Sequence, residues 1–434
     1  MKRSSIVFLW LCLGVVNTRA QAPPVRLTLD EAIARGLEAS HRVAEIDARQ
    51  RAARAIEDQR KAASKPQVAL QAGYTRTNHI DEFGIPGGRL IYPDIPDNVR
   101  SRIDLQWPIY TGGRTSALTR AAAAETSAIA QDRDVARADL KLDITRAYWA
   151  VITAGASADV VGEALARIAG HLSDVRNQLN VGLVPPNEVL SLEAQQARQR
   201  MLLIEAENLA ETAGADFRRL VGLTPETPFE LADRIDTPSI SSQQIATLVE
   251  AAKAGRAERK ALEIRIGALG ERKAAAEAGR LPLIATVGGY DVGRPNPKIF
   301  PRQAAWKPSW DIGVSLTWSL FDGGRVRAET AEAAANQRAA EERLKDFDTN
   351  VDLDVRQRAA DLASAEAAIA AADVGVRSAA EARRVVADRF SAGVATNTDV
   401  IDAQVALLQA ELDRTRALAN AHLAAARLDR AVGR

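Results

Sequence analysis

Trp107-Pro108-Ile109-Tyr110-Thr111-Gly112-Gly113-Arg114 returns later in the chain as Trp318-Ser319-Leu320-Phe321-Asp322-Gly323-Gly324-Arg325. From Trp107 to Trp318 the offset is 211 residues. The same offset links Asp143 to Asp354, Gly182 to Gly393, Glu188-Val189-Leu190 to Asp399-Val400-Ile401, and Val221-Gly222 to Val432-Gly433. A period held without insertion over that span marks an internal duplication. Upstream, Pro66 matches Pro282 and Gly73-Tyr74 matches Gly289-Tyr290, now at an offset of 216. The change of offset belongs to the loop between the two matched blocks.

Outward from the repeated block, each copy reads as helix, strand, loop, strand, long helix, turn, helix. Helices are expected over residues 28–63, 115–181, 187–221, 241–278, 326–391 and 397–432. All 17 prolines lie outside those segments, and an interior proline would cost a helix about 3 kcal/mol. The two unbroken stretches of about 65 residues would each run on the order of 100 Å, too long for a compact globular domain to contain. Pro225, Pro228 and Pro238 mark a linker between the copies. The expected organisation is a signal peptide over 1–22, a first repeat over 23–222, a linker over 223–240 and a second repeat over 241–434.

The strands alternate. Ile312, Val314, Leu316, Trp318 and Leu320 oppose Asp311, Gly313, Ser315, Thr317 and Ser319. In the first copy Ile103, Leu105, Trp107 and Ile109 oppose Arg102, Asp104 and Gln106, and Val68, Leu70, Ala72 and Tyr74 oppose Gln67 and Gln71. The strand from Leu283 to Val292 is less regular and is assigned from its repeat partner. Such a dyad pattern is what an outer-membrane barrel requires, although a soluble sheet packed on one face alternates in the same way. Trp107, Trp306, Trp310 and Trp318 lie in or beside these strands and suit an interfacial girdle. Trp149, beside Tyr148 on the long helix, reads as helix packing. Four strands cannot close a barrel, and open edges in lipid leave backbone groups unpaired. Two chains would give eight strands filled by side chains, and three would give twelve with room for a pore.

Lys2 and Arg3, the apolar run Ile6–Val16 and the small-residue stretch Ala20-Gln21-Ala22 read as a secretory signal peptide. The run is too short for a membrane-spanning helix. Cys12, the only cysteine, lies inside it without the context of a lipoprotein cleavage site, so the exported chain is expected to carry no thiol, disulfide or thiolate metal site. His41, His79, His171 and His422 are scattered rather than set at metal-ligand spacing. The 57 basic and 56 acidic side chains leave a net charge of +1, which offers no field for nucleic acid. No nucleophile, metal or phosphate constellation points to an enzyme, and no cofactor is expected.

Three stretches carry a family resemblance. They are the aromatic-x-x-aromatic-x-Gly-Gly-Arg strand ends; the segment Arg389-Phe390-Ser391-Ala392-Gly393 followed by Asp399-Val400-Ile401-Asp402-Ala403-Gln404; and Arg219-Leu220-Val221-Gly222-Leu223 before Pro225. Together they resemble the TolC family of outer-membrane efflux proteins over essentially the whole mature chain. The resemblance implies a mainly α fold with a membrane β-barrel: a homotrimer whose twelve-stranded barrel, four strands per chain, continues into a long periplasmic α-helical barrel. It implies an outer-membrane channel of a tripartite efflux pump or type I secretion system. Its partners would be a periplasmic adaptor (membrane fusion) protein, an inner-membrane pump of RND, ABC or MFS type, and outer-membrane lipid. Gly112, Gly113, Arg114, Gly323, Gly324 and Arg325 look like the strand-helix junctions. Val181, Gly182, Leu183, Gly393, Val394 and Ala395 match the adaptor-docking tips, where glycine equally suits a plain hairpin turn. Asp399 and Asp402 match the acidic pair of the periplasmic gate, with Glu188 in place of an aspartate beside it. The structural alternative is that Asp399 and Asp402 complement the positive helix N-terminus. Ala395 and Phe390 depart from the best-known pattern, so a tyrosine-and-arginine latch is not carried over. The competing reading is a periplasmic structural or adaptor coiled-coil protein, which accounts for the helices and leaves the strands without a purpose.

Overall fold

In a computed structural model of the protein, the structure describes residues 24–238 and 244–434. Lys2, Arg3, Cys12 and the rest of the expected signal peptide, with the end of the linker, lie outside the described residues. The elements run β1 (Val25–Leu27), α1 (Leu29–Ala39), α2 (His41–Ala62), β2 (Gln67–Arg76), β3 (Phe83–Gly84), β4 (Leu90–Tyr92), β5 (Asp97–Tyr110), α3 (Arg114–Asn180) and α4 (Pro186–Leu220). They continue with β6 (Phe229–Leu231), α5 (Ile245–Gly255), α6 (Ala257–Glu277), β7 (Leu283–Arg294), β8 (Lys307–Thr317), α7 (Arg325–Ser391) and α8 (Asn397–Val432). The chain forms two compact units, each drawing on both copies of the repeat.

The unit built from Ser40–Asp143, Pro238–Ala368 and Asn420–Arg434 holds the main sheet. Its order is β2-β5-β7-β8, and every pairing is antiparallel. Pro108 has no N–H to give to the ladder, and the register of β5 against β7 shifts between Pro108 and Tyr110. Val68, Leu70, Ile103, Ile312, Val314 and Leu316, the oily side of the alternation, are all exposed. A one-faced soluble sheet would cover that side with a core.

Two expected helices are each split. Residues 28–63 break at Ser40, whose extended backbone (φ −72°, ψ 115°) leaves its hydroxyl to accept from Val43 N at 3.3 Å as the cap of α2. Residues 241–278 break at Arg256, the position 216 residues on, with φ −63° and ψ 122°. There the guanidinium donates to Ala431 O at 2.6 Å and pairs with Asp354. Tertiary hydrogen bonds hold this kink, and no proline marks it. β8 stops at Thr317, so Trp318 and Leu320 lie just past the strand. A small core joins Leu248, Val249, Ala252, Val351, Val355, Ala431 and Val432.

The other unit, the residues up to Ala39 with Ile144–Thr237 and Ile369–Ala419, is helical around a two-stranded parallel sheet of β1 and β6. Tyr148 is fully buried there, edge-on to Trp149 and Phe217, and its hydroxyl donates to Asp233 Oδ2 at 2.6 Å. Burial raises its pKa, as removal from water favours the neutral phenol. Leu172, Val175, Val189 and Leu192 close the hairpin of α3 and α4, with Phe390 and Ile401 packed against them.

Candidate functional site

The strand-helix junctions use two successive glycines in the left-handed region. The φ values are +63° and +85° at Gly112 and Gly113, and +65° and +89° at Gly323 and Gly324, a conformation that costs any residue with a Cβ. At Gly112 a Cβ would also overlap the Leu281 side chain. The sequence reading missed the residue before each pair. Asp322 accepts from Gly324 N and from Val326 N, both at 2.9 Å, and caps α7. Those backbone N–H groups hold its carboxyl below the usual carboxylate range. Thr111, its counterpart, accepts from Thr115 N at 3.4 Å. Arg114 and Arg325 open α3 and α7, and Arg325 pairs with Glu329 at 2.7 Å.

The tryptophans of the expected girdle are well exposed, from Trp107 at 44% to Trp310 at 72%. Trp306 and Trp310 sit at the loop end of β8, and Trp318 lies past its helix end. Trp107 and Trp318 make the same bond in each repeat. Trp107 Nε1 donates to Ser64 O at 3.2 Å and Trp318 Nε1 to Arg280 O at 3.0 Å, each carbonyl two residues ahead of the matched prolines 66 and 282. Each indole thereby anchors a strand end to the residues that close the preceding helix, leaving its apolar body outward.

At the hairpin turns Gly182 (φ +78°) and Gly393 (φ +74°) end α3 and α7. Leu183 N donates to Gln178 O and Val394 N to Arg389 O, both at 2.9 Å, so each turn is a Schellman cap. Val181, Leu183 and Val394 project into solvent, 71%, 75% and 62% exposed, while Ala395 is half-buried.

The acidic residues divide. Asp399 Oδ2 accepts from Thr396 N at 2.8 Å and from Thr396 Oγ1 at 2.7 Å, and Asp399 N donates back to Thr396 Oγ1 at 3.2 Å. This is a capping box, and the Thr396 N–H holds the Asp399 carboxyl below its ordinary value. Glu188, 211 residues earlier, follows Pro185, which makes no side-chain cap, so the Glu188 carboxylate is not spent in the same way. Asp402 is exposed one turn into α8. His171, which looked ordinary in the sequence, joins the two hairpins: Nε2 lies 2.7 Å from Asn397 Oδ1, and the ring meets Phe390 edge-on at 5.1 Å. Asn397 Nδ2 donates to Glu188 O at 3.4 Å. No sequence period links positions 171 and 397, so only the fold could reveal that contact.

Among the described residues no helix is long and apolar enough to cross a membrane. A family model for outer membrane efflux proteins matches residues 32–223 and 248–434, the two repeats in turn. The chain belongs to the outer membrane efflux protein family. It is 27% identical over 364 residues to Protein CyaE of Bordetella pertussis, covering 82% of this chain and 74% of that one. To the outer membrane protein TolC of Vibrio cholerae it is 24% identical over 376 residues, covering 86% and 83%. The solved structure of VceC, an outer membrane protein of Vibrio cholerae, superposes with a TM-score of 0.78 over 93% of this chain and 96% of that one, at 20% identity. As an efflux protein of this family the chain is an outer-membrane channel that extends into the periplasm, of a class that forms trimers and works with periplasmic adaptors and inner-membrane pumps. The coiled-coil adaptor alternative is set aside.

Proposed function

We propose that three copies of this chain close a twelve-stranded barrel that carries cargo outward from an adaptor and an inner-membrane pump of RND, ABC or MFS type. The observation that carries this reading is the sheet. β2 and β8 are unpaired edges, and the oily faces between them are exposed. Edges in lipid must be paired, and a four-stranded sheet can satisfy them only against copies of itself. The segment 1–22 serves export as a signal peptide, and 23–222 and 241–434 act as repeats joined by a linker over 223–240. The tips Val181-Gly182-Leu183 and Gly393-Val394-Ala395 dock the adaptor, as their projecting apolar side chains on rigid turns favour.

At the periplasmic entrance Asp402 and Glu188 supply the field of the gate, while Asp399 chiefly holds the first turn of α8 in place. Rings of carboxylates from three chains concentrate cations and repel anions. Purified protein in planar bilayers tests the reading: cation-selective channels are expected. Protein that inserts no channels, or channels selective for anions, would overturn it.

A further inference from the structure

Asp291 in β7 is fully buried, although β2 in the same sheet is exposed at every position. What surrounds it is a charge cluster on the polar side of the strands. Arg100 Nε lies 2.8 Å from Asp291 Oδ1, Arg102 pairs with Asp291, and Arg102 also reaches Asp104 at 2.6 Å and Asp311 at 3.0 Å. The pairing registers Arg102 with Asp291, Asp104 with Gly289, and Gly289 with Asp311 put these groups on one face. Gly289 is what lets the cluster span three strands. A Cβ there would overlap the Arg102 guanidinium, which crosses β7 at that point to reach β8.

The strands contribute three carboxylates, Asp104, Asp291 and Asp311, but only two guanidiniums. The third cation comes from the loop between β7 and β8. Lys298 Nζ lies 3.2 Å from Asp291 Oδ2 and pairs with Asp311. A buried carboxylate is costly unless paired; Asp291 holds Arg100 and Arg102 from the sheet itself, and with the loop folded down it gains a third cation and Asp311 a second. Other bonds follow the same course. Asn296, 2% exposed, donates to Lys307 O at 2.8 Å and Ser309 Oγ at 2.9 Å, and its Oδ1 accepts from Lys298 N at 2.9 Å. Farther along, Arg302 Nη2 donates to Asn98 Oδ1 at 3.0 Å, and its guanidinium lies 4.8 Å from the centre of the Tyr92 ring, tying this loop to the connection between β2 and β5.

We infer that residues 295–306 form a lid folded onto the lumen side of the barrel at its outer mouth, latched by the Lys298 ammonium between Asp291 and Asp311. The lid rests on the proposed barrel, in which the polar side of the sheet faces the pore. It gives the channel a closure at its outer mouth, controlled by ion pairs within one chain.

The test is access from outside the cell. Ser315 lies on the same face of β8 as Asp311, four residues farther from the loop. In cells carrying Ser315→Cys, a bulky membrane-impermeant maleimide should label slowly. Adding Lys298→Met should raise the rate about ten-fold. Asp311→Asn, which removes the other half of the latch, should act in the same direction. Equal labelling rates in assembled wild-type and variant trimers would overturn the lid. So would failure of both variants to assemble, since the cluster would then be structural only. Channel formation by wild-type protein in bilayers is scored separately. Its absence would overturn the barrel reading itself and the lid with it, whereas channels with unchanged labelling would overturn the lid alone.

Discussion

Asp399 and Asp402 stand three residues apart and look alike in the sequence, yet Asp399 caps the first turn of α8 while Asp402 lies exposed one turn on. Thr396 and Asp399 fit the [Ser/Thr]-x-x-[Asp/Glu] pattern of a capping box, so the competing role of Asp399 was legible; what the pattern could not say is that Glu188, its repeat partner, escapes capping because Pro185 replaces Thr396. Asp402→Asn and Glu188→Gln are therefore expected to lower cation selectivity in reconstituted channels, and Asp399→Asn to lower it less. An Asp399 variant with the largest loss would contradict that division. The capping bond also sets a pH dependence. The folded pKa of Asp399 lies below its ordinary value, so its contribution is complete above the ordinary carboxylate range and is lost as pH falls through the lowered value. Hydrogen exchange over residues 397–401 should be faster in Asp399→Asn than in wild type at neutral pH, and the gap should close in strong acid. A gap of the same size at both pH values would count against the cap.

At the scale of elements, the duplicated period and the proline positions were enough to place α3, α4, α7 and α8 within a residue or two, because no proline interrupts those stretches beyond the first turn. The kinks at Ser40 and Arg256 were not legible. Good helix formers flank both, and the Arg256 kink is held by Ala431 O and Asp354, partners roughly 100 to 175 positions away. Arg256→Ala should cost about 1–3 kcal/mol, the usual result of leaving hydrogen-bonded groups without their partner, read as a lower melting temperature with barrel insertion retained. No change in melting temperature would show that the kink is set elsewhere. The glycine turns were legible, since a positive φ at the end of a helix selects glycine. Gly182→Val and Gly393→Val should deform the tips and reduce efflux while trimer level and membrane insertion persist. Loss of the trimer itself would make the tips structural and remove the docking role. Strand ends were less clear: alternation continues through Trp318 and Leu320, but the ladder stops at Thr317, where the Trp318 indole turns to Arg280 O.

For the whole molecule, composition and alternation pointed to a shared barrel but could not separate it from a one-faced soluble sheet. The exposed side chains of Val68, Leu70, Ile312 and Val314 make that distinction, because no layer of the described chain packs on them. The charge cluster around Asp291 was invisible in the sequence, where Arg100, Arg102, Lys298 and Asp311 are ordinary surface residue types brought together only by strand register. Assembly is the claim on which the gate, the lid and the docking tips all depend, and it rests on β2 and β8, the edges of the main sheet left unpaired among the described residues. The most direct measurement is the mass of the detergent-solubilised membrane protein by light scattering, with chemical crosslinking as its companion. Three chains per particle and crosslinked ladders that stop at three are expected; a stable monomer inserted in the membrane would contradict the account.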